Sequence, residues 1–360
     1  MRWSVGLLLF LSTPALGQSR AVAIPALPVT GFGASVALVG DELFVGRSGE
    51  ALGIPIPPSQ TGAIHVFRRG ADGAWVEQAP LTPSDAALGD GFAVALASDG
   101  RVVVAGAVGH AGARGAAYVF ERGAGAGAWR QTAKLQAADG AAGDNLGFAV
   151  AVQGDVILVG APGHNENRGA AYAFRRGAQA GQWVQAAKLV PESSDSTARF
   201  GAALALDRDV ALVGAPGPHF MPGMLTGPAA LHPGAVYSFR RPVGTGAWQA
   251  QARVPASDSG ARAFGAAIAL AGSSAFVGAP GTQESRGTVS ELTRDGETWR
   301  HRATFAPDTL PGFALFGAGV APTATGVLVA APLEHGTGAV WYFRRDPATE
   351  RWQQRQQWRR

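Results

Sequence analysis

Six times along its 360 residues the chain repeats the same four landmarks in the same order, and a sequence written that way must fold as an array of like units. The fullest copy runs from Leu146 to Leu189. Its landmarks are an aromatic residue or Leu before Gly, then Gly-Ala-Pro, then Gly-x-x-x-x-Phe, then a Trp with an apolar residue six positions on. The first landmark reads as Phe32-Gly33, Asp90-Gly91, Leu146-Gly147, Phe200-Gly201, Phe264-Gly265 and Phe316-Gly317. The second falls at Gly46, Gly106, Gly160, Gly214, Gly278 and Ala330. Five copies keep one interval between these two landmarks, the interval from Gly147 to Gly160. In the second copy Gly91 stands farther from Gly106, which places an insertion in the turn Ser98-Asp99-Gly100. The third landmark pairs Gly62 with Phe67, Gly115 with Phe120, Gly169 with Phe174, Gly234 with Phe239, Gly287 with Leu292 and Gly338 with Phe343. Six of the nine tryptophans occupy the fourth landmark (Trp75, Trp129, Trp183, Trp248, Trp299 and Trp352), so composition alone does not produce the pattern.

Each copy holds four short apolar or alternating runs separated by Gly, Asp and Ser, which reads as a four-stranded antiparallel meander. The period is shortest from Gly265 to Gly317 and longest from Gly201 to Gly265, and a meander repeated at that length predicts a β-propeller. The first run is built from small residues (FAVALA, GAALAL, GAAIAL), as an innermost strand crowded by its neighbours requires. The second (VILVGA, VALVGA) is apolar on both faces, as for a strand covered on both sides. The Trp begins the outermost strand and fills the widening space between blades. Helical periodicity is nearly absent, and 51 Gly and 23 Pro interrupt it. The expected fold class is all-β, a single propeller of six blades, with seven as the alternative. Trp352 to Trp358 is expected to be the outer strand of the sixth blade, with 22–28 as an extra edge strand or cover.

Copies such as AKLQAADGAAGDNLGFAVAVQGDVILVGAPGHNENRGAAYAFRRG resemble the bacterial FG-GAP repeat family, whose repeats are similar to those of the integrin alpha-chain propeller. The resemblance implies a propeller that recognises partners. Integrin-type blades often carry a DxDxDG calcium loop between the first two strands. The corresponding turns here, such as Gly154-Asp155 and Gly272-Ser273, lack the several oxygens calcium needs, so no metal and no cofactor are expected.

Residues 1–17 read as a secretory signal: Arg2, then the apolar Val5 to Leu11, then Ala15-Leu16-Gly17. That apolar stretch is too short to span a bilayer. The propeller then occupies 18–360, and the protein is expected to be exported, to a periplasmic, cell-surface or extracellular address. With no Cys, it can have neither disulfides nor thiolate metal sites. The net charge of +4 is carried almost wholly by Arg, and no basic run interleaved with aromatics points to nucleic acid. A monomer is expected.

Candidate chemistry is sparse. No HExxH or GxSxG occurs, and Thr293 to Trp299 only approaches an Asp box and reads as a hairpin turn. Arginines following the third strands (Arg68, Arg122, Arg176, Arg240, Arg345 and others) either solvate a rim or offer an acidic-ligand site; the first is favoured. Junction aspartates Asp85, Asp90, Asp139, Asp144, Asp195, Asp258 and Asp308 recur too regularly for a single active site and read as turn caps. His110 and His164 hold matching loop positions, read as solvent-exposed rather than as a shared metal site. Two loops break the repeat, Ser48 to Thr61 and Pro216 to Pro233, and insertions in such arrays map to one face. They bring Ile54, Ile56, Phe220, Met221 and Met224 as apolar anchors, with His219 as a polar handle, either for a clamp by copies 1 and 4, opposite each other in a six-bladed ring, or as covers that pack on each other over the channel. The expected function is non-enzymatic: recognition of a protein or glycan, or a surface scaffold. A lectin-like propeller is the alternative and a propeller hydrolase the distant one.

Overall fold

Why each copy becomes one blade is visible in its second strand, where nearly every residue is apolar and buried. Val102–Ala107, Val156–Ala161 and Val210–Ala215 are buried at all six positions. The computed structural model describes residues 32–48, 60–123, 127–191, 198–217, 233–242, 246–258 and 260–359. Blade 1 comprises Phe32–Val39, Glu42–Arg47, Ala63–Arg69 and Trp75–Glu77. Blade 2 comprises Phe92–Ser98, Val102–Ala107, Ala116–Arg122 and Trp129–Leu135. Blade 3 comprises Val150–Gln153, Val156–Ala161, Ala170–Arg176 and Trp183–Leu189. Blade 4 comprises Ala203–Asp207, Val210–Ala215, Ala235–Arg240 and Gln249–Pro255. Blade 5 comprises Ala267–Ala271, Ser274–Ala279, Thr288–Asp295 and Thr298–Phe305. Blade 6 comprises Gly319–Pro322, Val327–Ala331, Ala339–Arg345 and Trp352–Arg359. Each is a sheet of four sequential strands paired antiparallel, and this blade count and strand order are those of a six-bladed β-propeller. The strand Trp352–Arg359 is the outer strand of blade 6, as expected; segments 1–17 and 22–28 lie outside the described residues.

The chain divides after Leu189 into two compact units, one holding blades 1 to 3 and one holding blades 4 to 6. Within each unit the first strands of successive blades pack together. The apolar core lies between blades. Phe44 and Ile64 of blade 1 meet Phe92, Tyr118 and Phe120 around the second blade. Val102 and Val119 meet Ile157, Val159 and Phe174 between blades 2 and 3, and in the other unit Phe276 and Phe305 join Phe316, Trp341 and Phe343.

The landmarks are the contacts by which one blade seats on the next. A Cβ on Gly106 would run into the carbonyl oxygen of Gly147, one on Gly278 into that of Gly317, and one on Gly214 into that of Gly265. The Gly opening the third strand is hemmed in the same way: Gly115 faces the Leu146 carbonyl and Gly287 that of Phe316. Only a residue without a side chain permits that backbone approach.

This geometry corrects the reading of the second copy. Gly46 and Gly62 of blade 1 abut Ala93 and Phe92, so the first landmark of blade 2 is Phe92-Ala93, not Asp90-Gly91. Ala93 takes φ 66°, matching Gly147 at 96° and Gly265 at 93°. Gly91, φ 60°, occupies instead the left-handed position filled by Asn145, Arg199, Ala263 and Leu315. With that register Ala93 precedes Gly106 by the same interval as Gly147 precedes Gly160, and Ser98-Asp99-Gly100 contains no insertion.

A bulge explains the fixed Trp spacing. In blade 3 Phe174 opposes Gln185 while Ala173 opposes Ala187, leaving Ala186 as the extra residue. Blades 2, 4, 5 and 6 shift register at the same place. One added residue flips the facing of the outer strand midway, so Trp183 lies on the sheet face of Phe174 and Leu189 on the opposite face, and both are buried.

Candidate recognition face and its polar clusters

The loops between second and third strands lie beside the junctions that enter each blade, tied by backbone hydrogen bonds such as Gly109 N–H to Asp90 O (2.9 Å) and Gly163 N–H to Asp144 O (3.0 Å). The six side chains the sequence singles out here, Ile54, Ile56, His219, Phe220, Met221 and Met224, lie outside the described residues, as do most of their two long loops. The short loops show a shared device that periodicity did not predict. His110–Ala113, His164–Asn167 and Thr282–Ser285 are single helical turns whose central residues are left-handed, with Asn165 at φ 49° and Glu166 at φ 58°. Left-handed non-Gly residues cost about 1–2 kcal/mol each, so the surroundings must hold them.

In blades 2 and 3 the holding is done by a polar cluster of five side chains. Tyr118 Oη donates to Asp85 Oδ1 (2.8 Å), and Lys134 Nζ donates to Asp85 Oδ2 (2.7 Å) and to His110 Nε2 (2.7 Å). His110 Nδ1 meets Asp90 Oδ2 at 3.2 Å, and the same oxygen accepts from Ala87 N–H. Each member recurs in the next copy at one constant offset, Asp85 as Asp139, Asp90 as Asp144, His110 as His164, Tyr118 as Tyr172 and Lys134 as Lys188. Tyr172 and Lys188 reach Asp139 at 2.8 and 2.6 Å, Lys188 reaches His164 Nε2 at 2.8 Å, and His164 Nδ1 reaches Asp144 at 2.8 Å. An ammonium can only donate, so Nε2 is the acceptor; the neutral ring then carries its proton on Nδ1 and donates it to the aspartate. The lysines also lie over the tyrosine rings, 5.6 and 5.8 Å from the centroids.

The electrostatics rest on those contacts. The Lys134 hydrogen bond holds the Asp85 carboxyl below the ordinary range. For Asp139 burial acts upward, but Lys188 and Tyr172 together outweigh it and the net direction is down. Burial, reinforced by the aspartates that accept their protons, pushes the Tyr118 and Tyr172 hydroxyls far above theirs.

The aspartates thus divide. Asp90, Asp144 and Asp258 cap turns as expected, accepting from Ala87, Ala141 and Gly260 N–H, whereas Asp85 and Asp139 bind Lys and Tyr. His110 and His164 are not solvent-exposed as read: their side chains are only 15% and 14% accessible, enclosed by the clusters. The signal was in the sequence, because the only two lysines of the chain, Lys134 and Lys188, share the offset of the other four members.

The corresponding places in blades 5 and 6 are filled differently. In blade 5, Thr282 Oγ1 accepts from Arg262 N–H (3.1 Å), and Ser290 and Thr304 pair at 3.2 Å. In blade 6 the buried Glu334 accepts from Trp341 Nε1 (2.6 Å), Gln357 (2.7 Å) and Arg359 (2.9 Å), fastening the last strand. Beside it stand two exposed apolar side chains, Phe313 (61% accessible) and Leu333 (42%). Phe313 takes φ 62° where blades 2 and 3 have Gly89 and Gly143, and its N–H is pinned to Glu284 O of the blade 5 turn (3.2 Å). Leu333 N–H is bonded to Ala314 O (3.3 Å), which brings the two loops together.

Four of the arginines that follow the third strands, Arg122, Arg176, Arg240 and Arg345, tie blades together, while Arg68, Arg69, Arg175 and Arg344 are exposed on the rim. Arg176 pairs with Glu121 of the preceding blade (3.0 Å) and lies over the Trp183 ring, whose Nε1 donates to the same carboxylate. Arg122 pairs with Glu42, Arg345 with Glu291 (3.6 Å), and Arg240 with Asp209 and Glu297 (3.0 and 2.7 Å). An open cleft of about 600 Å³ on this side is lined by Arg101, Arg122, Arg176, Glu121 and Asp155. The Thr293 to Trp299 segment is a hairpin turn through Gly296 and Glu297, as read.

Among the described residues no group of three or more His, Cys, Asp or Glu is placed to hold a metal ion. No helix among them is long and apolar enough to cross a membrane. The family model described as FG-GAP repeat matches three times, at 75–120, 129–174 and 183–239. Each match opens on the outer strand of one blade and ends in the third strand of the next. No curated protein matches the chain.

Proposed function

We propose that this FG-GAP repeat chain is a non-enzymatic recognition module or scaffold that engages a protein partner, and that it works after export. One observation carries the reading: Phe313, an exposed aromatic in a left-handed conformation that blades 2 and 3 assign to Gly. Exposure forfeits the gain of burying an aromatic, and the backbone adds about 1–2 kcal/mol of strain. A side chain held at cost on both counts, with Leu333 beside it, suits an anchor that is buried only in a complex. The fold supports this reading, since FG-GAP propellers commonly serve as interaction domains, and its many backbone-to-backbone seats make a rigid platform for such an anchor.

The test compares capture from the native extracellular medium by the wild-type protein and by a Phe313→Ser/Leu333→Ser variant with the same melting temperature. The expected result is one or more proteins retained by the first and lost by the second. Equal capture by both would remove this face from the interaction. Retention of oligosaccharides by both on a glycan array, with no protein captured, would favour a lectin instead.

A further inference from the structure

We propose that the Asp85–Asp90–His110–Tyr118–Lys134 cluster and its counterpart Asp139–Asp144–His164–Tyr172–Lys188 are acid-operated clasps: they hold the loops of blades 2 and 3 at neutral pH and release them when the imidazoles gain a second proton. The mechanism lies in one contact. His110 Nε2 and His164 Nε2 each accept a hydrogen bond from a lysine ammonium, at 2.7 and 2.8 Å. A protonated ring has no lone pair at Nε2 and would set a second cation against the ammonium.

The groups facing each ring define how the cluster rearranges. For His164 they are Asp144 and Asp139 from the junction, Tyr172 from the third strand and Lys188 from the outer strand. For His110 they are Asp90, Tyr118 and Lys134, with Asp85 bonded in turn to that Tyr and Lys. His164 Nε2 is already 3.9 Å from Asp139 Oδ2. On protonation the imidazolium takes Asp139 as its partner, and Lys188, whose side chain is 32% accessible, swings into water. The five-membered arrangement is broken without any carboxylate changing its charge. The left-handed turn then loses the side-chain support for its strained residues.

Blade 5 provides an internal control. Its turn Thr282–Ser285 has the same left-handed backbone, but hydroxyls replace the titrating groups: Thr282 for His, Ser290 for Tyr and Thr304 for Lys. Acid in this range should leave it closed.

Amide hydrogen exchange resolved by residue tests the proposal on the full chain. Protection reports Gly115 N–H on His110 O (3.0 Å), Asn145 N–H on Ala113 O (2.9 Å) and Gly169 N–H on His164 O (2.9 Å). Lowering the pH from about 8 to about 5, where imidazoles take up a proton, should cut these protection factors at least about tenfold. Gly287 N–H on Thr282 O and Leu315 N–H on Ser285 O, 3.0 and 2.9 Å in blade 5, should keep theirs. In His110→Gln/His164→Gln, where an amide oxygen still accepts from Lys but does not titrate, the pH dependence should vanish. Unchanged protection at all these amides, an equal loss in blade 5, or a pH response that survives in the glutamine variant would each overturn the proposal. If that variant does not fold, the comparison of blades within the wild-type protein still decides.

Discussion

At the scale of single residues, two glycines with similar spacing have very different standing. Gly106 touches the Gly147 backbone, so Gly106→Ala should cost at least about 4 kcal/mol and in practice prevent folding. Gly143, φ 87° with nothing near its missing Cβ, should cost only about 1–2 kcal/mol as Ala. Urea unfolding of both variants checks the contrast. Sequence alone ranks the two poorly, because a glycine kept for a turn and one kept for a close approach look alike. The same ambiguity misplaced the second copy: Gly91 stands one residue before Phe92, in a left-handed site that other blades fill with Asn145 or Leu315, while Ala93 hides the true landmark. The clusters were more legible than their roles, since the pairs Asp85/Asp139, His110/His164 and Lys134/Lys188 share one offset. What spacing cannot reveal is that a strand, a loop and a junction bring them within hydrogen-bond reach.

The acid response of the aspartates belongs at this scale too. Asp85 and Asp139 titrate lower in the folded chain than in the unfolded one, so their stabilisation is present above the ordinary carboxylate range and is lost as pH falls through the depressed folded values. Asp139→Asn should therefore be less stable than wild type at neutral pH, and the difference should close below about pH 4. Denaturant midpoints measured across that range check the sign. A gap that widened in acid would mean that the carboxylate is not held by Lys188.

At the scale of elements, the fourth strand is where the blades are riveted. Trp183 is 9% accessible, donates to Glu121 of the preceding blade and lies beneath Arg176, while the bulge at Ala186 puts Trp183 and Leu189 on opposite faces of the blade, both buried. Trp183→Ala should cost about 3–5 kcal/mol, as for other buried aromatics. Glu121→Gln keeps the shape but weakens two charge-assisted bonds, and should cost less, about 1–2 kcal/mol. Thermal and urea midpoints for the two variants test that order. The strand and its Trp could be read from the repeat. The bulge could not, because no residue type marks Ala186. Nor could the left-handed loops, whose Asn165, Glu166 and Gln283 would ordinarily suggest a right-handed turn or none.

At the scale of the whole molecule, the repeated residues account for the fold and the departures from the repeat account for the proposed use. The landmark glycines at the blade contacts seat one backbone on another, and substituting any of them is a matter of stability. Phe313 and Leu333 belong to no landmark and contribute little to packing, yet the loop face holds them outward. That separation is the central claim, and Phe313→Gly puts it to the test in one variant, through its melting temperature and its titration against the protein captured by the wild type. Gly relieves the left-handed strain, so the melting temperature should stay level or rise, while the affinity should fall at least about tenfold, the usual cost of losing an aromatic anchor. A lower melting temperature with undiminished affinity would show instead that Phe313 is part of the fold and that recognition lies elsewhere.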